Sequence, residues 1–315
     1  MAGRAYDPEI APIVPMLPTV MDWSDMPAAR QQMDQMFEQM GIEPPQASED
    51  VAWEDRQVPG PKGAPDVTVR LYRPPGGAGT RPGVLYIHGG GFCVGNIESE
   101  HPNAAHVCVE VDAVVASVEY RLAPEHPFPS GLEDCYAALQ WLHASAAELS
   151  IDPARIGIMG QSAGGGLSAG LALLARDRGG PAIKYQVLGI PELDDRLETP
   201  SMTQFTDTPL WNRPNAIVSW KYYLGEGGGE VSPYAAPARA KDLAGLPPAY
   251  VSTMEFDPLR DEGIQYALRL LEHGVSVELH QFPGTFHGSS LAANAEVSQR
   301  GNEEMIGALR RGLRR

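Results

Sequence analysis

The chain has 315 residues, 43% of them hydrophobic, and a formal net charge of −16. That length holds one large α/β domain with an insertion, or two smaller domains, and the apolar content is ample for a packed core. The acidity argues against nucleic acid or an anionic membrane as partner, and no apolar run is long enough to span a bilayer.

The N-terminus, MAGRAYDPEIAPIVPMLPTV, is interrupted by acids and prolines, so it lacks the continuous apolar segment of a secretory signal. Three cysteines, Cys93, Cys108 and Cys135, lie in apolar contexts and read as reduced thiols of a cytoplasmic protein. Residues 1 to 48 are rich in Met and Pro. Within them, DMPAARQQMDQMFEQMG is expected to form a helix capped by Asp25, two residues before Pro27, and ending at Gly41. Met33, Met36, Phe37 and Met40 recur there at helical spacing, which suits a packing face or the wall of an adaptable pocket.

From Val51 the pattern becomes one of strands alternating with helices. Strands are expected over 51–57, 67–73, 83–88, 113–119, 155–159, 185–190, 249–256 and 276–282. Helices are expected near 101–110, 131–147, 163–178 and 261–273, with a last amphipathic one near 295–312. Such alternation implies a mostly parallel sheet covered on both faces, the first two strands making an antiparallel edge. The interval 195–230 breaks the rhythm with Trp211, Trp220, Tyr222 and Tyr223. An aromatic insertion after a strand's C-terminal end is where a lid over a ligand site belongs.

Two glycine clusters carry chemistry. In RIGIMGQSAGGGLSAG a short apolar strand runs into Ser162, and a helix follows with Leu167, Leu171 and Leu174 on one face. A serine held in a strained strand-to-helix turn crowds its neighbours two positions away, which explains Gly160 and Gly164, and it faces the helix N-terminus. In YIHGGGFCVG the glycines follow a strand and can aim the N–H groups of Gly90 and Gly91, with that of Ala163, at a developing oxyanion. A phosphate cradle is the competing reading, but the loop continues Phe92-Cys93-Val94 and supplies no Lys.

A nucleophilic serine needs a base and an orienting acid. His287 follows the last strand between Gly284 and Gly288 and is the candidate base. His101, His106, His143, His273 and His280 fall on helices or within a strand. His88 reads as a brace for the glycine loop, and His126 as part of a proline turn. For the acid, Asp257 directly follows a strand and precedes Pro258, whereas Asp261 opens the next helix, where capping explains it. Cys93, near the glycine loop, is expected to be a small buried hydrophobe rather than a pocket thiol.

Together HGGGF, YRLAPEHPFP, GQSAGGG, DPLRDEG and FHG, spread over about residues 51–300, resemble the bacterial hormone-sensitive-lipase-like (family IV) esterases of the α/β-hydrolase superfamily. The resemblance implies an eight-stranded α/β-hydrolase core over 49–194 and 231–315. It also implies a helical cap made of an N-terminal segment, 1–48, and the insertion 195–230. By motif it implies Ser162 as nucleophile, His287 as base, Asp257 as acid, and Gly90, Gly91 and Ala163 as oxyanion donors, with no metal or cofactor. The expected partners are a short- to medium-chain ester and water, with an amide or an acetylated natural product as alternative substrates. A second copy of the chain, joined through the edge strand at 276–282, is a further expectation. A catalytically dead receptor on the same fold would typically lack the histidine; a prolyl-oligopeptidase-type enzyme would need a large extra domain. Two positions depart from the family pattern: Gln161 stands where Asp or Thr is usual, and Glu119 where Asp is usual.

Overall fold

Apolar bursts followed by helical stretches become parallel strands because the returning helix buries one face of the sheet and the next helix the other. The computed structural model describes residues 4–39, 51–76, 79–226 and 229–314. Its strands are β1 (Ala52–Val58), β2 (Val67–Arg73), β3 (Arg81–Ile87), β4 (Val114–Glu119), β5 (Ile151–Gln161), β6 (Tyr185–Gly189), β7 (Ala249–Met254) and β8 (Val277–Phe282). They form one sheet in the order β1-β2-β4-β3-β5-β6-β7-β8. β2 pairs antiparallel with β1 and β4, and every later pairing is parallel.

The helices are α1 (Met26–Gln39), α2 (His101–Val111), α3 (Ser130–Ala144), α4 (Ala163–Asp177), α5 (Pro200–Gln204), α6 (Arg213–Leu224), α7 (Arg260–Glu272) and α8 (Glu296–Arg314). Successive strand side chains point to opposite faces. Leu85, Ile87, Ile156 and Ile158 pack with α3, α4 and α7 on one side, and Val84, Tyr86, Met159 and Val187 with α2 and α8 on the other. The sheet edges and the five long helices of the core lie close to their expected positions. The clearest shift is β5, which begins at Ile151 rather than 155.

The described part of the interval 195–230 contains the helices α5 and α6. Helix α6 escapes periodicity analysis for a physical reason. Its buried side carries Asn215, Ala216, Ser219, Trp220 and Tyr223, three of the five polar or small, while Ile217 points outward at 42% exposure. The N-terminal segment is bound to this insertion. Leu210 N–H donates to the Pro18 carbonyl (2.8 Å), Trp23 Nε1 to Asn215 Oδ1 (3.1 Å) and the Tyr222 hydroxyl to the Trp23 carbonyl (2.9 Å). Asp25 caps α1 as expected, accepting from Ala28 N–H at 3.1 Å. The expected end of that helix at Gly41, and Met40 with it, lie outside the described residues.

Candidate active site

Strand β5 ends and α4 begins at Ser162, whose backbone sits at φ 56°, ψ −124°, a region costly for any residue with a side chain. The turn is tight enough to dictate its neighbours. A methyl group on Gly160 would lie 2.4 Å from the Gly164 backbone, and one on Gly164 would lie 2.1 Å from the Ile87 carbonyl oxygen. The backbone bonds that hold the turn are Ser162 N–H to Gly189 O (2.8 Å), and Gly166 N–H and Glu192 N–H to Ser162 O (3.0 and 3.1 Å). The hydroxyl is thereby fixed above the C-terminal edge of the sheet, where ligands of open α/β sheets bind.

Two side chains from later strand ends reach it. His287, in the loop after β8, has Nε2 2.9 Å from Ser162 Oγ. Its Nδ1 lies 2.8 Å from Asp257 Oδ2. A carboxylate only accepts, so Nδ1 carries the proton and Nε2 is left to accept the Ser162 hydroxyl proton. Asp257, fully buried after β7, is locked by Leu259 N–H donating to its Oδ1 at 2.9 Å. Asp261 stays away from the histidine and does not cap its own helix either. Its Oδ2 accepts from Ser201 N–H (2.7 Å) at the start of α5, tying the insertion to α7.

The glycine loop lies beside the serine. Cys93 and Val94 N–H both donate to the Gly90 carbonyl at 3.0 Å, forming a tight turn. The N–H groups of Gly90, Gly91 and Ala163 donate to no backbone acceptor among the described residues. Behind the loop His88 is buried, stacks on Tyr120 at 4.1 Å, and takes the Tyr120 hydroxyl on its carbonyl oxygen (3.0 Å). Burial lowers its imidazole to about 4, so it stays neutral and acts as the brace its position suggested. Cys93 is buried, and burial pushes its thiol up, as for an inert core cysteine. Glu119 accepts the Ile97 N–H at 2.8 Å just past the loop, a bond the extra methylene over Asp still reaches. Gln161 directs its side chain against Gly189.

Several residues at the site had no role assigned from the sequence. Trp211 stacks on His287 (5.7 Å between centroids, 29°), and its ring would be 2.6 Å from a methyl on Gly91. Ser219 of α6 donates to the Gly91 carbonyl at 2.8 Å. Glu192, fully buried after β6, lies 3.4 Å from Ser219 Oγ. Only the position of Glu192, just past the end of a parallel strand like Asp257, could have marked it. The ring of Trp211 was noticeable as one aromatic among several.

A serine on a strained strand-to-helix turn, hydrogen-bonded to a histidine that a buried aspartate orients, defines a serine hydrolase on an α/β sheet. Comparison with known proteins narrows the class. Residues 84–291 match the family model described as alpha/beta hydrolase fold. The chain is 40% identical to carboxylesterase NlhH of Mycobacterium tuberculosis over 97% of each chain, and 39% identical to esterase LipI of the same organism over 74% of this chain and 73% of that one. Among solved structures it resembles a bacterial heroin esterase (56% identity, TM-score 0.94, 99% of both chains). It also resembles esterase LipW of Mycobacterium marinum (36% identity, TM-score 0.88, 98% and 96% covered). The chain belongs to the hormone-sensitive-lipase-like esterases of the α/β-hydrolase family. It is a serine carboxylesterase.

Proposed function

We propose that Ser162, His287 and Asp257 are the catalytic triad and that the N–H groups of Gly90, Gly91 and Ala163 hold the oxyanion. The observation that carries this reading is the unbroken run of hydrogen bonds from Ser162 Oγ through His287 to Asp257, at 2.9 and 2.8 Å. His287 Nε2 takes the hydroxyl proton as Oγ attacks the ester carbonyl carbon, and the carbonyl oxygen becomes an anion facing the three amides. Collapse breaks the bond to the alcohol, which leaves with the proton from Nε2. Water then repeats the cycle on the acyl-enzyme, giving its proton to Nε2 and releasing the acid and the free serine. Asp257 keeps the imidazole in the tautomer that accepts from Ser162.

We read the substrate class from the two segments assigned to a cap. The segment 1–48 and the insertion 195–230 act as a cap, and core residues 49–194 and 231–315 as the catalytic domain. Hydrogen bonds between the Pro18–Trp23 region and residues 210–222 support a joint role for the two cap pieces. The rings of Trp211 and Trp23, which meet edge to face at 6.3 Å beside His287, support a preference for short- to medium-chain esters. The likeness to a heroin esterase favours, as a second reading, acetyl esters of bulky multi-ring alcohols. The open edge at β8 supports a homodimer joined there.

The test is covalent trapping. A p-nitrophenyl alkylphosphonate is expected to abolish activity and add one phosphonyl mass to the peptide containing Ser162, and Ser162→Ala to show neither turnover nor adduct. An adduct on another residue, or turnover by the alanine variant, would overturn the assignment.

A further inference from the structure

Helix α6 touches the glycine loop through three side chains. Ser219 and Tyr223, four residues apart and so on one face of the helix, both meet it. Ser219 donates to the Gly91 carbonyl at 2.8 Å, and the Tyr223 ring stacks on Phe92 at 3.9 Å and 11°. Trp220 lies against the same phenyl ring at 5.4 Å. Both Gly91 and Phe92 have positive φ, 54° and 60°, a conformation Phe92 adopts only because its surroundings over-determine it. On its far side Ser219 faces the carboxyl of Glu192, whose own backbone N–H is bonded to the Ser162 carbonyl at 3.1 Å.

We propose that Ser219 is a positioning residue for the oxyanion hole, its hydroxyl pinning the Gly91 carbonyl while the Glu192 carboxyl behind it fixes the direction of that hydroxyl. The link then runs from the turn bearing Ser162, through Glu192 and Ser219, to the loop bearing the opposing oxyanion donors. It rests on the assignment of Gly90 and Gly91 as those donors.

The proton inventory requires this direction. A serine hydroxyl has a single proton, and the Gly91 carbonyl can only accept, so the proton of Ser219 is committed to Gly91. The Glu192 contact then needs a proton from the carboxyl. Glu192 is fully buried, and among the described residues its Oε2 has no partner and no cation is bonded to it. Burial, reinforced by the nearby Asp257, holds it well above the usual carboxylate range, as a neutral acid. A neutral carboxyl can donate to Ser219. An ionised one would compete for the Ser219 proton and place a negative charge behind the hole that must stabilise one.

The test compares Ser219→Ala, Ser219→Cys, Glu192→Ala and Glu192→Gln, with Ser162→Ala alongside and thermal midpoints for all. Losing a bond to a buried carbonyl predicts a roughly tenfold fall in kcat for Ser219→Ala, with KM nearly unchanged, and an intermediate fall for the weaker thiol donor. The affinity for an aryl trifluoromethyl ketone, which adds to Ser162 and places an oxyanion in the hole, should fall by the same factor. That for the unreactive methyl ketone of the same shape should hold. Glu192→Ala should match Ser219→Ala, and Glu192→Gln, whose amide still donates, should restore most of the activity. Full kcat in Ser219→Ala, equal losses for the two ketones, or a glutamine variant as impaired as the alanine variant would each overturn the proposal. Those outcomes leave the triad intact as long as Ser162→Ala is inactive; an active Ser162→Ala would sink the triad instead.

Discussion

Two aspartates four residues apart share the segment after β7, and they divide its work. Asp257 is fully buried and hydrogen-bonded to His287, whereas Asp261 holds the first turn of α5 through the Ser201 amide. An asparagine at 257 keeps the shape but can offer an N–H to Nδ1, which stabilises the imidazole tautomer unable to accept the Ser162 proton. Asp257→Asn is therefore expected to lower kcat on the order of a thousand- to ten-thousandfold. Asp261→Asn, which loses charge-assisted bonds to Ser201 and Arg260 at the rim of the insertion, should stay within about tenfold of the native rate. Steady-state kinetics on p-nitrophenyl acetate settles the comparison, and the reverse order would move the acid to Asp261.

The element that sets Ser162 is the β5–α4 turn, and it leaves no room for a single added methyl group. A methyl group added at Gly164 meets a backbone carbonyl at 2.1 Å, and backbone at the centre of the sheet cannot yield. Gly164→Ala is expected to cost at least about 3 kcal/mol or to prevent folding. Gly301 lies in α8, where an added methyl would find its nearest neighbour, the Phe282 ring, 3.7 Å away. There Gly→Ala should raise stability by about 0.5–1 kcal/mol through helix propensity alone. Urea denaturation of both variants checks the pair. Helix α6 shows a different pattern, because its surface toward the core is chosen for hydrogen bonding and ring stacking rather than for an apolar stripe.

At the scale of the whole molecule, the N-terminal segment is hydrogen-bonded to the stretch that carries α6, some 190 residues later, through the Trp23–Asn215 bond. No helix among the described residues is long and apolar enough to cross a membrane. A net charge of −16 also sets the chain against anionic lipid surfaces. Activity on p-nitrophenyl esters is therefore expected to peak at short or medium acyl chains and to fall steeply by the palmitate. Rates on tributyrin should saturate below its solubility limit, without a jump when droplets form. A preference for long chains, or a jump at the emulsion boundary, would mean that the cap opens onto an interface.

The local signals were strong wherever a residue's job is decided by its near neighbours. Strand–helix alternation, the glycines two positions either side of Ser162, and the placement of Asp257 and His287 directly after strands all follow from short-range sterics and periodicity, so the sheet and the three central side chains were legible in the sequence. The stretch 195–230 was legible only as a break in that rhythm. Ser219 lies 128 positions from the carbonyl it holds, and Trp211 reaches a histidine that stands in the loop after the last strand. No periodicity encodes such pairs, because the side chains involved are polar or aromatic and would serve equally well on a solvent-facing helix. Their roles were decided when the folded sheet brought distant loops to one edge, where a buried hydroxyl or carboxyl must find whichever partner is within reach.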